Sequence, residues 1–540
     1  MYKEAIRLNK NFSDAYNNLG NAILHSNEKN KVNVSIASYQ KALVLDNRNL
    51  NAYLNLSLCY MNHDRFSEAL VLLNRFLDID SSNSKAKISK FICEIHLGDW
   101  SHYEDLKEIC LKLKNEVFYI HPLISLFLID HPIIQKKRSR LYGENLSREL
   151  ANFQNKIKKD RPKNNLQKKI RIGYFSHGLR KHATGYLFSE ILLSHNKNLF
   201  EIYIYHNYEF EDEITEKIKN FSDKFLNVSN IHFSKLLKIV MDDNINIAID
   251  LNGYTSYTLT NLFFFDIAEI KINYLGYPGT LGINDFNYII ADKILITKNL
   301  RKYYSENIIF MPDTYQPNYK IQSGFKSNFK NKNDYNLNEN SFVFASFNHV
   351  KKICPEVFEI WSKLLHNKKN SLLWLYADEE IIKNNLIKKM ESFGISSNRI
   401  VFANKVSKEE HLFRHRFIDL YLDTFNYNGH TTTSDALFCK IPVITKEGSQ
   451  FAARVSSSLL QSIKMSELVT FSSNDYYNLA LKLSTNQIKL SEIKNKLIFN
   501  LSDSKLFNKN FYTKHLETAY ITAFKIYNQE EERFRDFFVN

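Results

Sequence analysis

From Ile170 onward the chain alternates short apolar runs with helical stretches, and this pattern restricts the fold more than any other feature. The first series is IRIGYFS (170–176), FEIYIYH (200–206), INIAIDLNG (245–253), IKINYLGYPG (270–279), YIIAD (288–292) and IIFMPD (308–313). A polar stretch rich in Asn and Lys, 318–340, interrupts it. The second series is FVFASFN (342–348), LLWLYAD (372–378), RIVFAN (399–404), DLYLDT (419–424), IPVITKEG (441–448) and LVTFS (468–472). Near-continuous apolar strands separated by helices form parallel sheets covered on both faces. The expectation is two doubly wound α/β lobes. Such sheets bind ligands outside the carboxyl ends of their strands, so two facing lobes place a site in the cleft between them.

Ahead of this lies a repeat. Ala15-Tyr16-Asn17-Asn18-Leu19-Gly20 recurs as Ala52-Tyr53-Leu54-Asn55-Leu56-Ser57 and more weakly from Ala86, at offsets of 37 and 34 residues. Tyr2…Ala5…Leu8 is answered by Tyr39…Ala42…Leu45 and by Leu73…Phe76…Ile79. A period of 34 with small residues at helix crossings is the tetratricopeptide pattern, a stack of helix pairs. An ordinary helical bundle is the alternative. The extra three residues of the first offset fit a loop around Ser26 to Lys31. The reading begins in the second helix of a repeat, which suggests a truncated start or a first helix that packs on a partner.

Composition narrows the classes. Of 540 residues 44% are hydrophobic and 14% aromatic, enough for packed cores and too much for a disordered chain. The net charge of +14 is spread along the chain without a basic tail or stripe, which argues against nucleic acid as a partner. Cys59, Cys93, Cys110, Cys354 and Cys439 are odd in number and show no metal-ligand spacing, so a reducing compartment is expected. The amphipathic start MYKEAIRLNK has no apolar core of a signal peptide. Leu259 to Ile270, the greasiest stretch, carries Asp266 and Glu269 and is too short to span a bilayer. A soluble, cytoplasmic protein is expected.

The densest polar cluster follows DLYLDT: Phe425-Asn426-Tyr427-Asn428-Gly429-His430-Thr431-Thr432-Thr433-Ser434-Asp435, running into a helix. His430 and the threonines then sit at a helix N-terminus, where free N–H groups and the dipole favour an anion such as a diphosphate. Alone, the run reads equally as an N-cap after a turn. FVFASFN runs into His349-Val350-Lys351-Lys352, and a lysine after a strand end in the same lobe can face the same anion; alone it is a surface lysine. Lys408-Glu409-Glu410-His411-Leu412-Phe413-Arg414 follows RIVFAN. It offers a flat ring and a guanidinium suited to a base, or simply a charged helix start.

In the first series, IRIGYFS runs into His177-Gly178-Leu179-Arg180-Lys181-His182-Ala183-Thr184. A histidine there points into the cleft as a base or substrate clamp, or is structural. Asn252-Gly253 and Gly276-Tyr277-Pro278-Gly279-Thr280 end strands on the same edge, where glycine permits close approach of backbone to ligand. No GxGxxG, Walker A or GxSxG motif is present.

Together these blocks resemble the O-linked N-acetylglucosamine transferase family with its Spindly-like members. The ordered matches are the repeats, IRIGYFS…KHATGYL, IDLNGYT, LGYPGTLG, FNHVKKI, KEEHLFR, DTFNYNGHTTTSD and AARVSSSLL. The resemblance implies tetratricopeptide repeats followed by a GT-B architecture of two Rossmann-like lobes. It divides the chain into repeats (1–98), a helical connector (99–167), a first catalytic lobe (168–325), a nucleotide-sugar lobe (336–505) and a helical tail (506–540). It implies inverting, metal-independent transfer to Ser/Thr hydroxyls of proteins, without a cofactor. Lys352 and His430 to Thr432 would hold the diphosphate, Asp435 the ribose, and His411 and Arg414 the base, with Lys408 beside them. His182 would lie near the reacting centre, and Thr184, Gly276, Pro278, Gly279 and Thr280 would line the cleft. His349 stands where animal members carry Gln.

UDP-GlcNAc is the favoured donor, because the His430 and Asp435 pair looks like the N-acetylglucosamine branch. The DTFxY and TTT features also resemble the Spindly branch, which uses GDP-fucose. A protein acceptor or partner would be held by the repeats, although the array is short, which leaves a small-glycan or lipid-linked acceptor open. An oligomer is possible. The reading from another class is a non-catalytic repeat scaffold with a decayed transferase fold.

Overall fold

The structure, a computed structural model, describes residues 1–24, 26, 30–112, 120–154, 169–320, 330–529 and 534–540. The chain divides into two compact units, Met1–Ile124 with Asn230–Leu236, and Ser125–Ser229 with Leu237–Asn540.

In the first unit helices follow one another as antiparallel pairs: α1 (Tyr2–Leu8), α2 (Ser13–Leu24), α3 (Lys31–Leu45), α4 (Leu50–Met61), α5 (Phe66–Ile79), α6 (Ser84–His96) and α7 (Tyr103–Lys112). The small residues of the repeat lie at the crossings: Ala42, Ala52, Ala69 and Ala86 are fully buried. The capping repeats as well. Asn49 and Asn83 accept from the backbone N–H of Ala52 and Ala86, each at 3.0 Å, satisfying a first-turn donor of α4 and α6. The pairing continues past residue 98, because α7 packs on α6 with Leu106 and Cys110 fully buried. Residues 27–29 of the expected loop at 26–31 lie outside the described residues.

The second unit opens within α8 (Pro122–Leu128), at Ser125, and continues with α9 (Pro132–Gln154). Its first sheet is built from β1 (Ile170–Ser176), β2 (Phe200–His206), β3 (Lys224–Asn227), β4 (Ile245–Asp250), β5 (Ala268–Asn273), β6 (Tyr288–Asp292) and β7 (Asn307–Met311). Helix α10 (Ala183–Leu192) follows β1, α11 (Glu213–Phe221) follows β2, and α12 (Phe233–Asp242) follows β3. The second sheet is built from β8 (Phe342–Ser346), β9 (Ser371–Tyr376), β10 (Ile400–Ala403), β11 (Leu420–Leu422), β12 (Val443–Lys446) and β13 (Val469–Thr470). Helices α13 (Pro355–Asn367), α14 (Glu380–Ser392), α15 (Lys408–Arg414), α16 (Thr431–Phe438) and α17 (Val455–Ser462) connect its strands. Helices α18 (Ser473–Thr485), α19 (Gln487–Asp503) and α20 (Lys509–Gln529) follow.

The described strands pair in parallel, in the orders β7-β6-β5-β4-β1-β2-β3 and β10-β9-β8-β11-β12-β13. Typical registers are Ile172 beside Ile202 and Ile247, and Phe344 beside Leu373 and Leu420. In each sheet the strand order reverses once, between β1 and β4 and between β8 and β11. A crevice opens at such a switch point, because the connections leave it in opposite directions.

Two strands escaped the sequence reading. β3 is short and only half-buried, so its apolar run is weak. The tail is not wholly helical: after α20 it ends in β14 (Phe537–Phe538), which pairs in parallel with β7 at the edge of the first sheet. Helix α20 itself returns to the first lobe. Tyr512 Oη lies 2.5 Å from Tyr274 Oη, and Glu517 Oε1 lies 3.0 Å from His195 Nδ1. The lobes also meet directly, where Ser458 Oγ donates to Asp292 at 2.7 Å and Arg454 Nε to the Ile294 carbonyl at 2.8 Å. Among the described residues no helix is long and apolar enough to cross a membrane.

Candidate active site

The second switch point carries two loops side by side, because β8 and β11 are neighbours. The β11 loop is organised by Asp423, a fully buried carboxylate. It accepts from the N–H of Thr424 (2.8 Å) and Gly429 (2.6 Å) and from Thr445 Oγ1 (2.7 Å). Burial raises its pKa while these donors oppose the shift. Gly429 is required by space rather than by an unusual backbone angle. A Cβ there would come within 2.6 Å of Thr432 Oγ1 and 2.7 Å of Thr433 Oγ1. The β8 loop is tied to this one through Asn348, which accepts from Thr432 Oγ1 at 2.7 Å.

These ties bring Lys352 to the mouth of α16. Its ammonium donates to the Asn428 carbonyl at 2.9 Å and sits 4.1 Å from the centre of the Tyr427 ring. Burial pushes the amine down to about 7, with Asp423 opposing and Lys351 adding to the shift. His430 occupies the N-cap of α16, stacked on Tyr427 at 4.7 Å and 26°, with Nε2 3.3 Å from the Ala452 carbonyl. Burial holds its ring neutral. A cation, an imidazole and the unpaired N–H groups of a helix start thus share one spot. His349 is exposed at the edge of this loop, its Nδ1 capping the short turn of Val350–Lys352.

One turn into α16, Asp435 accepts from Lys408 Nζ at 2.5 Å and lies 3.4 Å from His411 Nε2. Burial pushes its pKa up, but Lys408 and His411 outweigh this and hold the carboxyl far below its usual range. Arg414 differs from the expectation for a base-binding group. It is 2% exposed, donates to the Asn404 carbonyl and to His411 Nδ1, both at 2.8 Å, and covers the Phe347 ring at 4.5 Å. Arg414 therefore works through His411. With Nδ1 accepting from a guanidinium, His411 carries its proton on Nε2, toward Asp435.

The first lobe contributes α10. Tyr186 and Leu187 line a pocket with Lys408, Thr431, Ser434 and Asp435, and the Tyr186 ring lies 5.4 Å from Lys408 Nζ. His182 caps the same helix. Its Nδ1 accepts from the N–H of Thr184 at 3.3 Å, and burial with Arg180 nearby lowers its pKa to about 4. The neutral ring so capped carries its proton on Nε2 and is a hydrogen-bond donor there. Two residues absent from the expected site stand behind it. Buried His177 is edge-on to His182 with ring centres 5.0 Å apart, and its Nδ1 is bonded to Asn252 Nδ2. Both follow switch-point strands, β1 and β4; that position is the signal that could have found them.

The glycine-rich run after β5 has a structural use. A Cβ on Gly276 would come within 2.2 Å of the Leu251 carbonyl, so the close packing of the neighbouring loop already requires glycine here. Gly279 presents its carbonyl to Asn273 Nδ2 at 3.0 Å. Thr280 is 4% exposed and donates to Glu306 at 2.6 Å. Pro278, Gly279 and Thr280 line a separate small cavity with Gln135, Tyr304 and Gln450. Thr184 is buried beneath the α10 start.

Two parallel switch-point sheets that face each other, with Lys352 and His430 at a helix start and a paired carboxylate in the second, define a GT-B fold. The chain belongs to glycosyl transferase family 41, whose model matches residues 98–325 and 319–516. It is 31% identical over 367 residues to the probable UDP-N-acetylglucosamine–peptide N-acetylglucosaminyltransferase SEC of Arabidopsis thaliana, covering 67% of this chain and 37% of that protein. It is 24% identical over 389 residues to the SPINDLY protein of the same plant, covering 68% and 40%. The chain thus spans about two fifths of the length of these relatives. The solved structure of a Thermobaculum terrenum O-GlcNAc transferase mutant superposes with a TM-score of 0.71 at 22% identity, covering 97% of this chain and 93% of that one.

Proposed function

We propose that this protein transfers N-acetylglucosamine from UDP-GlcNAc to Ser/Thr hydroxyls of proteins, by inversion and without a metal. The observation that carries the reading is the meeting of Lys352 and His430 at the start of α16, the helix whose Thr431 and Asp435 line a pocket with Lys408. In the reaction the acceptor oxygen forms a bond to the anomeric carbon as the bond to the β-phosphate oxygen breaks, and the hydroxyl proton passes to a phosphate oxygen of the departing diphosphate. The electron pair of the broken bond stays on the diphosphate. Lys352 and the N–H groups of α16 face that growing charge, which is the work a divalent cation does elsewhere. The Asp435–His411–Lys408 cluster offers a carboxylate for the ribose and a neutral ring for the base. His182, a donor at Nε2, serves as a clamp near the reacting centre, not as the base that takes the acceptor proton. The names of the relatives favour UDP-GlcNAc as donor and a peptide as acceptor.

Melting curves with UDP, UDP-GlcNAc, GDP and GDP-fucose test the donor. A ligand at a hundred times its Kd raises stability by about 2.7 kcal/mol, so the uridine pair is expected to raise Tm by several degrees. A rise with the guanosine pair alone replaces the donor by GDP-fucose. No rise with any of them leaves the scaffold reading.

A further inference from the structure

We infer that Tyr427 is a positioning residue of the diphosphate site: its ring holds the Lys352 ammonium and the His430 imidazole together at the start of α16. This rests on the donor reading above. Tyr427 lies in the β11–α16 loop and is 8% exposed. Lys352 Nζ is 4.1 Å from its ring centre, and the His430 ring stacks on it at 4.7 Å.

The ring itself is held from several sides. Thr424 Oγ1 donates to the Tyr427 carbonyl at 2.7 Å, and Asn428 Nδ2 donates to the Thr424 carbonyl at 2.7 Å. Phe127 packs against the ring at 5.1 Å and 30°. Its carbonyl accepts from Asn426 Nδ2 at 3.0 Å, which clips α8 to the loop.

The choice of partner has a consequence for chemistry. Among the described residues Lys352 makes no ion pair; its neighbours are a carbonyl and an aromatic face. A carboxylate would hold the ammonium and cancel its charge. A ring quadrupole attracts the ammonium but carries no net charge, so it does not neutralise the protonated amine that a diphosphate would meet. A lysine side chain left free loses rotamer entropy when fixed, and a preorganised cation avoids most of that loss at the moment of binding. The stacked His430 is held by the same ring, so one residue sets two contacts.

The test is a double-mutant cycle read as UDP affinity by calorimetry, with the ligand-free Tm of every variant measured alongside. Tyr427→Leu is expected to weaken UDP binding about tenfold, between the exposed and the desolvated range for a cation–π contact, and Tyr427→Phe to recover most of it. In a Lys352→Met background the Leu substitution is expected to cost clearly less than in the wild type, because the cation it positions is gone and only the His430 contact remains to be lost. Losses that add in the double variant, or a Leu variant that binds like wild type, overturn the inference. If Lys352→Met alone binds UDP normally, the donor reading fails instead. Should Tyr427→Leu not fold, Tyr427→Met, which fills similar space without a ring, goes through the same cycle.

Discussion

The amine of Lys352 gives the donor site a pH signature. In the ligand-free protein burial holds this amine at about 7. A bound diphosphate brings negative charge beside it and favours the protonated form. The sign follows. Below pH 7 the amine is charged before and after binding, and it adds no slope. Above pH 7 the free protein has lost the proton that the complex needs, so binding takes one up and affinity falls. The fall approaches tenfold per pH unit, so UDP should bind about ten times more weakly at pH 8 than on the plateau. At pH 8 close to one proton should be taken up per UDP bound. The terminal phosphate of UDP titrates near ~6, below the window used. Calorimetry with UDP from about pH 7 to 9, in buffers of different ionisation enthalpy at one ionic strength, reads both quantities. Lys352→Met should bind weakly at every pH and lose the slope. A flat affinity in the wild type, or the same slope in the Met variant, refutes the placement of Lys352 at the diphosphate.

Three other outcomes are expected. Lys352→Met should raise the ligand-free Tm by about 2–4 °C; the gain is largest below pH 7, where the folded state holds a buried charge, and shrinks as pH rises toward 10, so a fall in Tm at pH 6 counts against the burial argument. Arg414→Lys should weaken UDP binding by about tenfold and lower stability by about 2 kcal/mol, because a lysine cannot bridge the Asn404 carbonyl and His411 Nδ1 as the guanidinium does; unchanged affinity in a folded variant would detach His411 from the base. His182→Ala should lower the rate on a peptide acceptor by about 10²-fold, the cost of a misplaced reactant, with UDP affinity nearly unchanged, and the reverse pattern would move His182 into the nucleotide site.

The two sheets were legible because their strands are buried on both faces, and an apolar run such as Ile245–Asp250 has no other common use. β14 was not legible. Two phenylalanines in a polar tail become a strand only because α20 carries them back to the edge of β7. The repeat was legible from its period, yet its end was not, since α7 pairs with α6 through Leu106 and Cys110 without repeating the motif.

At the site the division follows reach. Residues next to one another in the chain declare a local device: His430 and the threonines announce a helix start by themselves. Whether that start faces a cation is a long-range fact. It depends on β8 lying beside β11, which brings Lys352 across 76 residues to the Asn428 carbonyl. The same distance in sequence hid Asp423 as the hub of the loop, and let Arg414 look like a ligand group when packing turns it inward. Gly276 looked like room for a ligand because sequence shows that a side chain is missing but not what fills the space, here the Leu251 carbonyl. Periodicity and burial thus determined the architecture from the sequence alone. Only the tertiary structure decided which polar groups meet, because a hydrogen bond depends on ångströms that strand order sets and local sequence does not encode.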